Sequence, residues 1–111
     1  MQEPTTQLPT LAQLRAKREE ILRVAAAHRV TNVRVFGSVA HGDAHAASDV
    51  DLIVDVPPEY RGLAYFGLLA DLQRALEPVV GFPVDVVSSG GRFAAEGERM
   101  AEQIEREAKE L

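Results

Sequence analysis

The sequence predicts an α/β domain, a small mixed β-sheet flanked by helices, and three features carry that reading. Stretches of helical hydrophobic period alternate with short apolar runs of strand character. Those runs, near residues 33–36, 50–54 and 84–87, hold polar residues at alternate positions, as strands with two different faces do. Pro57-Pro58, Pro78 and Gly81 punctuate the chain between the periodic stretches. With 111 residues the chain suffices for one domain and is too short for two. Residues 10–111 are therefore expected to form a single domain and residues 1–9, with Pro4 and Pro9, a loose tail.

Thr10 and Gln13 have the spacing of a capping box. A helix is expected from there to about residue 28, with Leu11, Leu14, Ile21, Leu22 and Ala25 on its apolar face. Arg15 and Arg18 fall within or beside that face, either laying their stems on apolar surface or reaching a phosphate or partner. His28 ends the helix, where positive charge suits the dipole. The first strand is expected over residues 30–36, ended by Gly37, and a helical turn over 38–41. A polar loop, 42–48, leads to a second strand over 49–56, which Pro57-Pro58 stops. The most apolar helix follows over 59–77, with Tyr65, Leu68, Leu69, Leu72 and Leu76 on one face and the sheet as its packing partner. Pro78 and Gly81 then turn the chain into a third strand, 82–87. A glutamate-rich helix is expected over 93–108, with Phe93, Met100, Ile104 and Leu111 along one side. Glu102–Arg106 and Glu105–Lys109 are i,i+4 pairs that would support it. The plain reading of this helix is a solvated edge, and the alternative is a face for a partner.

Composition removes several function classes. No cysteine is present, so disulfides, thiolate catalysis and cysteine-type zinc sites are excluded. A net charge of −5 argues against an extended nucleic-acid surface, whose affinity comes from Lys and Arg on phosphates. No apolar run is long enough for a membrane span, and the first residues lack a secretory pattern, so a cytoplasmic location is expected.

The chemistry concentrates in residues 35–52. Asp49 and Asp51 are two apart on a strand and project from the same face. Two close carboxylates repel unless a cation lies between them, and an all-oxygen donor set favours a hard divalent ion, magnesium or manganese. Gly37-Ser38 puts a flexible residue and a hydroxyl at a strand-to-helix turn, where backbone N–H groups can hold phosphate. A phosphate cradle eleven residues before a pair of metal-binding acids points to a nucleoside triphosphate and its metal. Asp85 alternates with Val84 and Val86 inside a third apolar strand, an unfavourable place for a lone acid. If that strand pairs beside the second, Asp85 joins Asp49 and Asp51 on one face.

Gly37-Ser38, Gly42 and Ser48-Asp49-Val50-Asp51-Leu52 resemble the G-S…G…S-D-x-D-[LI] signature of nucleotidyltransferases with the DNA polymerase beta-like fold. The shortness of the chain resembles the minimal nucleotidyltransferase (MNT) branch, whose members often serve as antitoxins of HEPN-domain toxins. The resemblance implies two magnesium ions on Asp49, Asp51 and Asp85, with Asp85 on a neighbouring strand as candidate base. It also implies a nucleotide, ATP, held by Gly37, Ser38, His41, Gly42 and Ser48. The implied acceptor is a hydroxyl on a HEPN-family partner protein. Transfer to a small molecule, as in the related aminoglycoside-modifying enzymes, would need an extra domain that this chain lacks.

Family members commonly carry arginine before the second glycine, where this chain has His41. Histidine is mostly neutral at pH 7 and cannot fork onto phosphate, so a weaker grip on the triphosphate is expected. His41, Asp43 and His45 are also possible zinc ligands, but a polar loop does little to fix them, and a solvated loop is the better reading. Asp55 continues the alternation beyond the site and is expected to face solvent. The competing function is a binding module that neutralises its partner by occlusion. His41 favours that class, whereas three mutually repelling acids favour an enzyme.

Overall fold

The computed structural model describes residues 8–44, 49–88 and 106–111. Two helices, α1 (Leu11–Ala16) and α2 (Arg18–Ala27), lead into β1 (Thr31–Phe36) and the short helix α3 (Gly37–His41). Strand β2 (Val50–Asp55), the long helix α4 (Leu63–Val80), β3 (Val84–Ser88) and a two-residue strand β4 (Lys109–Glu110) follow. The strands form one mixed sheet in the order β3-β2-β1-β4. β1 runs antiparallel to both β2 and β4, and β3 runs parallel to β2 through the α4 crossover.

The alternation of β2 divides the two faces of the sheet. Val50, Leu52 and Val54 belong to the main core, with Val35, Val84 and Val86 from the neighbouring strands and Ile21, Leu72 and Leu76 from the helices. Each removes most of its apolar surface from water, worth about 1.5–3 kcal/mol per side chain. The residues between them point to the opposite face, where Ile53 and Val87 form a small second cluster with Phe36 and Ala108. Asp51 and Asp85 share the parity of Ile53 and Val87 and lie on this second face. The helices therefore anchor the sheet from behind and leave the acids on the far side.

The apolar periods expected for the first and the long helix are found, with informative differences at their ends. The capping box forms as expected: Gln13 N donates to Thr10 Oγ1 (3.1 Å) and Thr10 N to Gln13 Oε1 (3.2 Å). Pro9, assigned to the tail, is fully buried. The first helix is interrupted at Lys17, whose N–H caps α1 on Leu14 and Arg15 carbonyls. Leu14, Ile21 and Ala25 still share one buried face, so the apolar period runs through the break. Lys17 itself reaches across to the end of α4, with Nζ 3.4 Å from Val80 O. His28 is the C-cap of α2, as anticipated.

α4 starts at Leu63 rather than 59 and continues through Pro78 to Val80. A proline forfeits one backbone bond inside a helix, and burial of Leu76 and Val80 on either side offsets that loss. Leu69, Leu72, Leu76 and Val80 are buried, while Tyr65 and Leu68 are half-buried at the rim. The last helix was expected to reach 108, but Ala108 is not helical and Lys109–Glu110 pairs with β1. Lys109 therefore cannot serve as an i,i+4 helical partner, and Leu111 packs on the main core. The remainder of that expected helix, with Phe93, Met100, Ile104 and four of its glutamates, lies outside the described residues. Among the described residues no helix is long and apolar enough to cross a membrane.

Candidate active site

Three elements meet at one end of the sheet: the exit of β1, the start of β2 and the start of β3. β1 ends at Phe36, and the next residue, Gly37, has φ of +76°, a conformation that favours glycine. A side chain there is excluded for a second reason. A Cβ at Gly37 would run into the Asp51 carboxylate, meeting Oδ2 first and lying 3.3 Å from Cγ. The backbone of the turn thus lies directly against an acid fourteen residues further on, which joins the two halves of the sequence motif. Gly42 closes α3 as its C-cap at φ +79°, again a left-handed position. The turn is further tied by Asp43 N donating to Ser38 O at 2.8 Å.

Asp51 and Asp85 are register partners on the parallel strands β2 and β3. Neighbouring strands lie about 4.8 Å apart, and partners in register project to the same face. Asp49 precedes Asp51 by two residues just before β2 begins, and both Asp49 and Asp85 are exposed. Asp51 is half-buried, with Phe36 as its register partner on β1 and Gly37 against its carboxylate. The register thus brings together Asp51 and Asp85, two of the three expected acids, with Asp49 two residues before Asp51. Burial, then the charge of Asp85, then that of Asp49, push the Asp51 carboxyl from 3.8 up to about 6. Here the protein imposes a cost on its own charged state.

Among the described residues, no group of three His, Asp or Glu side chains already converges closely enough to hold a metal ion. The donor set nevertheless fits a hard divalent cation: it is all carboxylate, it sits at adjacent strand positions, and mutual repulsion opposes its full ionisation. A cation between the carboxylates would remove that opposition.

The other expected site residues divide. Ser38 lies in the first turn of α3, directly after Gly37 and within the same cradle. Ser48 and His45 lie outside the described residues. His41 is engaged by protein rather than held open toward the cradle: its Nε2 lies 3.3 Å from Glu107 Oε1, with both side chains a little over two-fifths exposed. Arg15 is engaged by the chain's own C-terminal strand. Its guanidinium donates from Nη2 (2.8 Å) and Nε (3.3 Å) to the Glu110 carbonyl, pinning the C-terminal strand. Arg18 is exposed in the first turn of α2. Asp55, expected to face solvent, accepts from Arg34 Nη2 (3.2 Å) and Asn32 Nδ2 (3.2 Å) and is a structural acid.

Sequence reasoning missed the second set of contacts that frames β3. Gln73 and Glu77 of α4 accept from Val86 N (2.8 Å) and Val84 N (3.1 Å), on either side of Asp85. Polar residues beside a buried helix stripe look like ordinary solvated positions. Only their i,i+4 spacing, matched to an edge strand, could have signalled them.

Comparison with known proteins agrees with this geometry. Residues 15–111 match the family described as "Nucleotidyltransferase domain". A solved structure described as that of a "putative minimal nucleotidyltransferase" aligns with a TM-score of 0.71 and 41% sequence identity. The alignment covers 92% of this chain and 96% of that one. No curated protein matches at a significant level.

Proposed function

The chain belongs to the nucleotidyltransferase-domain family, in its minimal branch, and from that premise we propose that it moves AMP from ATP onto a hydroxyl of a partner protein. The observation that carries the site is the register pairing of Asp51 with Asp85, beside a glycine turn whose backbone abuts Asp51. Asp49, Asp51 and Asp85 would hold magnesium, with manganese as a substitute. When bound, the metal supplies positive charge that offsets the phosphates and favours ionisation of the acceptor hydroxyl.

The chain's own residues account for the rest. Backbone N–H groups after Gly37 and the Ser38 hydroxyl bind the β- and γ-phosphates, since the first amides of a helix have no partner within it. That grip leaves the α-phosphorus over Asp49 and Asp51. Asp85, exposed at the open edge, faces the incoming hydroxyl and takes its proton. The acceptor oxygen forms a bond to the α-phosphorus as the bond to the bridging oxygen breaks. Pyrophosphate leaves, and the proton passes from Asp85 to solvent. The fixed positions of cradle and acids supply the in-line orientation.

A HEPN-family toxin is the proposed acceptor, which makes this chain the antitoxin of the pair. The net charge of −5 supports a protein or small acceptor over a long nucleic acid. One observation favours a second reading, neutralisation by occlusion with little catalysis. The residue expected to help hold phosphate, His41, is paired with the carboxylate of Glu107, which would repel that phosphate.

The deciding experiment incubates the chain with ATP, magnesium and a candidate HEPN protein and examines the partner by mass spectrometry. An AMP adduct formed by the parent and lost in Asp51→Asn supports transfer. Full neutralisation of the partner by both proteins, with no adduct from either, establishes occlusion instead.

A further inference from the structure

β3 is an edge strand: β2 pairs with one side, and no strand pairs with the other among the described residues. Val50 N donates to Pro83 O at 2.8 Å, which fixes the alternation along β3. The N–H of Asp85 therefore faces β2, while those of Val84 and Val86 face outward. Outward N–H groups on an edge would ordinarily go to water or to another chain. Here Val86 N donates to Gln73 Oε1 and Val84 N to Glu77 Oε2.

The geometry of this match follows from the two periodicities. Residues four apart on a helix are separated by about 6 Å along its axis. Two outward N–H groups on one strand are separated by about 6.6 Å. Two acceptors at i and i+4 of α4 can therefore stand in for the acceptors of a missing strand. Asp85 lies between the two anchored amides and has the acid Asp51 as its register partner. Repulsion between these carboxylates acts to drive β3 off the sheet, and a slip of one residue would carry Asp85 to the helix-covered face.

We infer that Gln73 and Glu77 are positioning residues for Asp85, fixing β3 from its outer side in the register that sets this acid opposite Asp51. The kinetic consequence rests on the transferase reading above, and the structural one does not. Loss of both anchors displaces Asp85 by a fraction of a strand repeat, and a misplacement near 1 Å costs on the order of 100-fold in rate. The nucleotide cradle at Gly37-Ser38 belongs to other elements, so KM for ATP should move little.

The test compares the parent chain with Gln73→Leu/Glu77→Leu and with Gln73→Glu/Glu77→Gln, which keeps an oxygen acceptor at each position. The expected result is a fall in kcat of about 100-fold for the leucine pair, with KM for ATP within about threefold. The acceptor-retaining pair should recover most of the loss. Manganese affinity, measured by calorimetry without nucleotide, should fall in the leucine pair and recover in the other. Unchanged kcat and unchanged manganese affinity in a folded leucine pair would overturn the inference. If the parent transfers nothing, the manganese series alone decides it, and the failure belongs to the transferase reading. If the leucine pair does not fold, amide exchange in the parent decides: slow exchange at Val84 and Val86 supports the anchors, and exchange at free-amide rates overturns them.

Discussion

Asp51 and Asp55 lie four residues apart on the same face of the same strand, and the fold treats them in opposite ways. Asp55 meets Arg34 and Asn32, two donors from β1 and the residue that opens its bulge. Asp51 meets Phe36 on one side, Asp85 on the other and the backbone of Gly37. One acid is supplied with donors, and the other is surrounded by acids and apolar surface. The contrast leaves Asp51 in an unfavourable charged state, as the proposed metal site requires, and makes Asp55 part of the frame.

The contrast breaks most visibly under amide substitution. Asp51→Asn should cost about 100-fold or more in transfer, because it removes a charge that the reaction depends on. Asp55→Asn should leave transfer within about twofold, as read by the rate of adduct formation on the partner. Equal losses in the two would erase the distinction. Ser38→Ala tests the cradle alone and should weaken binding of the metal–ATP complex by about 1–3 kcal/mol, measured by calorimetry, with the fold intact.

A smaller effect concerns pH. The Asp51 carboxyl is raised from 3.8 to about 6 in the folded chain, so between those values the folded state binds more protons than the unfolded one. The contribution of this group to stability is therefore fully present below about pH 4 and is lost as pH rises through 6. Partial exposure limits it to about 1 kcal/mol. Thermal melts of the parent in chelator should show this decline, Asp51→Asn should flatten it, and saturating magnesium should reverse it. The smallest effect belongs to Asp55→Ala, which should lower stability by about 1 kcal/mol in denaturant titration, since the Asp55 side chain is 44% exposed.

The sequence announced the acids because their signal is local. Alternation on two short apolar strands places Asp49, Asp51 and Asp85, and the fixed spacing from Gly37-Ser38 names the chemistry. The capping box at Thr10 and the burial of Leu69, Leu72 and Leu76 were legible for the same reason. What stayed hidden was set by tertiary contacts. Lys109–Glu110 reads as the tail of a charged helix and becomes a strand only because β1 offers an edge and Arg15 holds the Glu110 carbonyl. The break at Lys17 leaves the apolar period undisturbed, so no pattern marks it. The sequence set Asp55 beyond the site, but its pairing with Arg34 and Asn32 from β1 carries no local signal.

The most direct measurement titrates ATP into the parent and into Asp51→Asn by calorimetry, with magnesium and again with chelator. Asp51 as a metal-binding acid predicts binding by the parent that collapses in chelator, and weak, nearly metal-independent binding by Asp51→Asn. Equal affinities in all four titrations would contradict it.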